Sequence, residues 1–239
     1  MAQRAASLGK ERWDMHVGLT RWSPPPAPAR APIIGRYVRL EPLQAGHAGT
    51  LYAAASADGT DDRFRWLFEH PPQDRATFAD WVDHVSSSAD PMFFAVVDAA
   101  TGRAEGRQAL MRIDRTHGVI EIGSIMWGPA LQRSRMATEA LFLFADHVFA
   151  LGYRRFEWKC NDLNALSKRA ALRFGFRPEG VFRQHMVVKG TNRDTAWFAM
   201  TDQDWQELRP GYLAWLAPDN FDADGGQRRT LGACLRGGA

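Results

Sequence analysis

Between Val119 and Phe149 the apolar pattern of this chain changes its period, and that change restricts what the chain can fold into. The run VIEIGSIMW (119–127) reads as a strand closed by Gly128-Pro129. From Met136 the apolar residues then fall at 136, 140, 141, 144, 145, 148 and 149, the spacing of one helix face. Gly152 stands where a helix C-terminus favours glycine. A strand, a short loop and an amphipathic helix in that order bring a helix N-terminus to the end of the strand. Such a terminus has free backbone N–H groups and the positive end of the helix dipole, and it binds phosphate readily. Gln132, Arg133, Ser134 and Arg135 stand at this opening, so a diphosphate ligand fits its chemistry. An ordinary polar surface turn uses the same residues, and the segment alone leaves both readings open.

The flanking pattern narrows the fold. Tyr37–Leu40 reads as a strand, and Leu43–Ala55 and Arg75–Val85 read as helices, with an irregular aromatic loop over 61–72. Met92–Val97, Gln108–Ile113 and Val119–Trp127 form an antiparallel meander on short turns. After the helix, Arg154–Cys160 alternates as a strand, Asn164–Phe174 returns to helix, and Val181–Lys189 with Thr195–Met200 makes a hairpin. The resulting class is α+β, a mixed sheet with one βαβ crossover. A helix over Asp202–Leu216, broken near Pro210, follows, and the glycine-rich tail from Asp219 is expected to be mobile.

The 239 residues, 45% hydrophobic, suffice for one substantial core, so residues 33–205 are expected to form the domain and 206–239 a C-terminal helix and flexible tail. Residues 1–32 read as an extension. Five of the ten residues 23–32 are proline, which favours an extended connector. Trp13 and Trp22 ahead of it suggest docking on the domain, or self-association as a homodimer. A net charge of +3 with no long Lys/Arg run gives no sign of nucleic-acid binding. No apolar stretch of membrane-spanning length and no secretory h-region is present, and Cys160 and Cys234 form no disulfide framework or metal-ligand spacing. A cytoplasmic protein without metal or membrane contact is the expectation.

Four pieces in order carry a resemblance. They are EIGSIMW (121–127) with LQRSRMATEA (131–140); NDLNALS (161–167) with RFGF (173–176); PEGVFR (178–183); and RDTAWFAM (193–200) with DQDW (202–205). Over roughly residues 34–205 the chain resembles the GNAT N-acetyltransferases, in the branch that includes the ribosomal-protein N-terminal acetyltransferases. The resemblance implies a mostly antiparallel sheet flanked by helices, with a splayed central strand pair. It implies acetyl-CoA as co-substrate, lying where strand 119–127 leaves strand 154–160. Backbone groups of Ile125, Met126 and Trp127 would pair with the pantetheine. The turn from Gln132 and Arg133 through Ser134, Arg135, Met136, Ala137 and Thr138 would hold the pyrophosphate. The family's loop has a central glycine where this chain has Arg135, which shifts the expected grip toward backbone plus guanidinium. Asn164 would lie near the pantetheine and Ser167 near the acetyl sulfur, although both residue types also suit helix capping.

The reaction these features imply is direct transfer to a primary amine, either a protein N-terminus or a small-molecule amine. An α-amine titrates near 8 and needs little help from a base. Ser167 is the candidate donor to the leaving thiolate. Glu121 is a candidate base, in competition with a salt-bridged strand residue. His185 is a further candidate, in competition with a packing role. Some members of the branch carry an acid at the position of Met186, so that role is absent or displaced here. Trp66 and Phe68 are expected at the substrate entrance. The rival reading, motivated by Arg135 and Met186, is a non-catalytic acyl-CoA-binding or sensor protein.

Overall fold

The computed structural model describes Leu19 and residues 22–237. Its strands are β1 (Ile33–Ile34), β2 (Val38–Pro42), β3 (Met92–Asp98), β4 (Ala104–Asp114), β5 (Val119–Trp127), β6 (Arg155–Asn161), β7 (Arg177–Val188) and β8 (Thr191–Thr201). They form one sheet in the order β1-β2-β3-β4-β5-β6-β8-β7. Every pairing is antiparallel except β5 with β6, the parallel pair joined by the α4 crossover.

Helices cover both faces, and β3 shows how the core is divided. Successive side chains of a strand point to opposite faces. Met92, Phe94 and Val96 join the cluster under α4 (Arg135–Ala150), while Phe93, Ala95 and Val97 join the cluster under α1 (Ala48–Ser56) and α3 (Arg75–Ser86). Ala140, Leu141, Phe144, Ala145 and Val148 of α4 are fully buried, as the spacing of that helix requires. Glu139 is also buried there. Its carboxylate accepts from the backbone N–H groups of Arg36, Tyr37 and Val38, tying α4 to the start of β2.

Several local expectations differ from the structure. The helix expected from Leu43 opens as a 3₁₀ turn at Ala45–His47 before α1 begins. The aromatic loop carries a short helix, α2 (Thr60–Phe64). His147 of α4 is half-buried, and burial pulls its imidazole below the usual value. The helix α6 (Asp202–Leu216) continues through Pro210 instead of breaking. Proline there costs about 3 kcal/mol in an isolated helix. The buried face of α6 offsets it: Trp205 and Tyr212 stack against Phe142 at 5.7 and 5.8 Å, and the Tyr212 hydroxyl donates to the Phe174 carbonyl at 2.8 Å.

The tail expected to be mobile is packed. Asn220 is buried, donating from Nδ2 to the Trp215 carbonyl and accepting at Oδ1 from Arg229 N, both at 2.9 Å. Helix α7 (Leu231–Arg236) then buries Leu231 and Cys234. It crosses α6 at Gly211, where a Cβ would lie 2.8 Å from the Cys234 carbonyl oxygen and from Leu235 Cα. At the other end, residues 22–32 dock on the domain. Pro25 and Pro28 are buried, Arg115 Nε donates to the Pro25 carbonyl, the Tyr153 hydroxyl donates to the Pro26 carbonyl, and Trp22 lies under Arg154. Trp13 lies outside the described residues.

Candidate active site

The parallel pair β5–β6 opens partway along. Pairing runs from Val119 with Arg155 to Ile122 with Trp158 and stops, although β5 continues to Trp127 and β6 to Asn161. The cause lies in β5. Gly123 faces Ala109 and Met126 faces Arg107, so β5 has one more residue than β4 across this stretch. A bulge of this kind bends its strand. Ser124 takes a positive φ of 48°, and its carbonyl accepts from Arg107 Nη1 at 2.6 Å. Arg107 is fully buried and its guanidinium lies over Trp81 and Phe93, at 4.7 and 5.4 Å. Its Nη2 pairs with Glu69 at 3.0 Å, which links the bulge to the aromatic loop. Beyond the bulge, residues 123–127 have no strand partner on the β6 side among the described residues. The side chain of Met126 is buried toward α1 and α3, so Met126 can offer the gap only its backbone.

One end of the gap widens into a cavity of about 800 Å³ at the N-terminus of α4. Arg133 has a positive φ of 58° and turns the chain into the helix. The Ser134 hydroxyl caps α4 by accepting from Ala137 N at 3.2 Å. Arg135 begins the helix, so the glycine's conformational freedom is needed at Arg133 rather than at Arg135. The Arg135 guanidinium stacks on Tyr37 at 4.5 Å and Phe221 at 5.4 Å. Thr138 is buried and accepts from Arg173 Nη1 at 3.1 Å, and burial pulls the Arg173 guanidinium down from its usual value. Gln132 Nε2 braces the loop by donating to the Trp127 carbonyl. Four arginines (36, 133, 135 and 173) and a single acid, Asp98, line this cavity, a balance suited to phosphates. Trp215 and residues 225–227 of the C-terminal segment complete its wall.

The other end is a cavity of about 700 Å³ that shares Trp127, Arg133 and Ala170 with the first, so the two form one cleft. Ser167 lies in its wall. Its Oγ accepts from Trp158 Nε1 at 2.9 Å, and the hydroxyl hydrogen lies within reach of sulfur, in this structure that of Cys160. Asn164 caps α5 (Ala165–Arg173) by accepting from Ser167 N at 3.0 Å, so its oxygen has the capping role. Cys160 is buried beside Ser167, and burial raises its thiol above the usual value. Burial therefore disfavours the thiolate that a nucleophilic cysteine needs.

Glu121 lines the same cavity and is buried, with Lys159 Nζ at 2.9 Å and Arg112 Nε at 3.1 Å from Oε2. Lys159 also pairs with Glu157 at 2.7 Å. The two carboxyls respond in opposite ways. Burial raises Glu121 despite Lys159 and Arg112. Glu157 resists its burial, and hydrogen bonds from Lys159 and Arg155 hold it below the usual value. His185 stands outside the cavity, packed between Phe182 and Trp197, with Nδ1 3.0 Å from Thr195 Oγ1. It reaches the cleft only through Thr195. Trp66 and Phe68 lie in the cavity wall.

The sequence reading missed Arg107, Arg112, Arg173 and Arg193. Arg173 opens the RFGF motif and was visible as such. Arg112 stands at a second irregularity of β4, with a positive φ of 50°, and Asp90 accepts from its backbone N–H at 2.8 Å. No local pattern signals that contact. Among the described residues no group of three or more His, Cys, Asp or Glu is arranged to hold a metal ion. Among them also, no helix is long and apolar enough to cross a membrane.

Comparison with known proteins agrees with this geometry. Residues 38–177 match the family model of the acetyltransferase (GNAT) domain. A GCN5-related N-acetyltransferase from Brucella melitensis is 58% identical, with 90% of this chain and 99% of that one covered at a TM-score of 0.89. A protein described as a probable acetyltransferase of the GNAT family, from Chromobacterium violaceum, is 39% identical, with 79% and 94% covered at a TM-score of 0.73. A ribosomal L7/L12 alpha-N-protein acetyltransferase shares the fold at 18% identity, with 71% and 93% covered and a TM-score of 0.62. No curated protein matches the chain in sequence. An opened β5–β6 pair beside an arginine-rich helix N-terminus, in a chain matched over most of its length by these relatives, makes this protein an acetyltransferase that belongs to the GNAT family.

Proposed function

We propose that the chain transfers acetyl from acetyl-CoA directly to a primary amine, a protein N-terminus or a small-molecule amine, within a ternary complex. The observation that carries this reading is the opening of the sheet after Ile122. It leaves the backbone of 123–127 facing a cleft with four arginines at one end and the Ser167 hydroxyl at the other. The phosphates of the co-substrate suit the α4 N-terminus with Arg133, Arg135 and Arg173, and the pantetheine suits the unpaired edge of β5.

The chemistry follows from these neighbours. The amine nitrogen attacks the thioester carbonyl, the C–N bond forms and the C–S bond breaks. Backbone N–H groups at the open edge of β5 donate to the oxygen as charge develops on it. The Ser167 hydroxyl, held as an acceptor by Trp158, donates to the leaving sulfur. The nitrogen loses its proton to Glu121 directly or through water, or to solvent when the amine is an α-amine. Burial disfavours the Cys160 thiolate, so direct transfer is favoured over an acyl-cysteine intermediate.

Calorimetry with acetyl-CoA followed by a mass-spectrometric screen of amines tests this reading. Saturable binding and a one-acetyl mass gain on an amine are expected. Absence of binding overturns it. Binding with no acetylated amine favours the acyl-CoA sensor, which the half-buried Met186 on β7 motivates.

A further inference from the structure

Among the described residues, the acceptor end of the cleft contains one buried cation outside any ion pair. Arg193 lies on β8 at 8% exposure and lines the cavity. Its neighbours are each neutralised: Lys159 by Glu121 and Glu157, Arg112 by Glu121, and Arg107 by Glu69. Arg193 has a single hydrogen bond among the described residues, from Nε to Thr195 Oγ1 at 3.2 Å. None of the ion pairs among those residues includes it, so its two Nη groups are left to the cavity. Phe68 lies against the guanidinium with its ring centroid 5.3 Å from Cζ, and Thr195 is itself held by His185. These contacts orient the fork.

A buried guanidinium without an anion is costly, and an oriented planar fork is the geometry that accepts two oxygens at once. Over the whole cavity, six basic side chains face three acidic ones, so an anion entering it meets a favourable field. We propose that Arg193 is an oxyanion subsite for the acceptor, and that the acceptor is a small primary amine that also carries a carboxylate or a phosphate. This rests on the acetyl-transfer reading and specifies its substrate class. Burial pulls the Arg193 guanidinium down from its usual value, and the nearby Glu121 carboxylate only partly opposes that change, as expected of a cation placed to gain from a further anion. Thr195 and His185 are positioning residues in this arrangement, and His185 takes this role in place of proton transfer.

The test is a matched-pair acceptor assay on the full chain with acetyl-CoA, read by thiol release. Each of the common amino acids is compared with its α-carboxamide, and phosphoethanolamine with ethanolamine. The expected result is at least one anionic amine with kcat/KM tenfold or more above its neutral partner. An amino acid in that place assigns a carboxylate, and phosphoethanolamine assigns a phosphate. In Arg193→Gln the KM of that acceptor rises tenfold or more, the KM of acetyl-CoA moves less than twofold, and the anionic-to-neutral preference falls to about one. Arg193→Lys restores part of the preference. Equal rates for anionic and neutral partners on the unmodified chain overturn the proposal, and that comparison needs no variant to fold. A unmodified chain that fails to bind acetyl-CoA in calorimetry overturns the acetyl-transfer reading instead, so the two failures are distinct.

Discussion

The two ends of the cleft are built from different kinds of sequence. The phosphate-facing turn of the cofactor end comes from one stretch, in which strand, turn and helix N-terminus follow one another from Val119 to Thr138, while Arg36, Tyr37, Arg173, Trp215 and Phe221 complete its wall. The acceptor end is assembled from parts of the chain far apart in sequence: Phe68 from the aromatic loop, Arg112 from β4, Lys159 and Cys160 from β6, Ser167 from α5 and Arg193 from β8. A site made by one local unit tolerates change elsewhere in the protein. A site made by convergence depends on the contacts that bring its parts together.

Arg107 is where the two ends depend on each other, and its substitution has the largest expected effect. It holds the Ser124 bulge that opens the sheet and the Glu69 that anchors the acceptor loop. Arg107→Met removes a fully buried guanidinium and leaves the Ser124 carbonyl and Glu69 without it. A loss of about 3 kcal/mol in chemical denaturation is expected. A loss below about 1 kcal/mol would mean that β5 makes its own bulge and that the ends are independent.

The C-terminal segment sharpens the contrast at the cofactor end, because Trp215 and Phe221 bring a remote element to a local site. Leu231 anchors that element at 1% exposure. Leu231→Ala is expected to cost about 2.5 kcal/mol of stability, with weaker acetyl-CoA binding as the wall loosens. A variant as stable as its parent would return the segment to the mobile tail that its composition suggests.

This segment also shows what the sequence could and could not reveal. The period change at α4, the meander and the Asn164–Ser167 element are encoded within a few residues each, and they are legible in the sequence. Pro210 and the run DADGGQRRT (222–230) were read by local propensity, which tertiary packing overrode. The packing signal was short: Leu231, Cys234 and Leu235 at helical spacing after a capping Thr230. Arg107 could not be recognised in this way, and Arg193 opens the RDTAWFAM run with no sign of its burial, since a strand arginine is ordinarily a surface residue and only the sheet order shows what surrounds it.

Ser167 tests the junction of the ends with a smaller effect. Ser167→Ala removes the donor to the leaving sulfur and the acceptor for Trp158 Nε1. A tenfold fall in kcat is expected, about 1.4 kcal/mol, with acetyl-CoA affinity within twofold. An unchanged kcat would remove Ser167 from the chemistry and leave it the partner of Trp158.

The smallest effect lies in the pH dependence of the two glutamates that share Lys159, and it separates a functional carboxyl from a structural one. Burial raises Glu121 in the folded chain. Between the ordinary carboxyl value and the raised one, the folded state therefore holds more proton than the unfolded state, and stability falls as pH rises through that window. Glu121→Gln removes this dependence, so the variant gains on its parent from acid toward neutral pH. Glu157 is held below the ordinary value, so its contribution is present above that value and is lost as pH falls through the depressed one. Glu157→Gln should therefore lose on its parent as pH rises from the depressed value to the ordinary one, a window below that of Glu121. Denaturation midpoints of the three proteins across pH read both slopes. Opposite signs would mean that the cleft keeps one carboxylate at a cost in stability, as expected of a proton acceptor, while its neighbour on the same lysine stabilises the fold. Equal signs would make Glu121 a structural partner of Lys159 and remove it as the base.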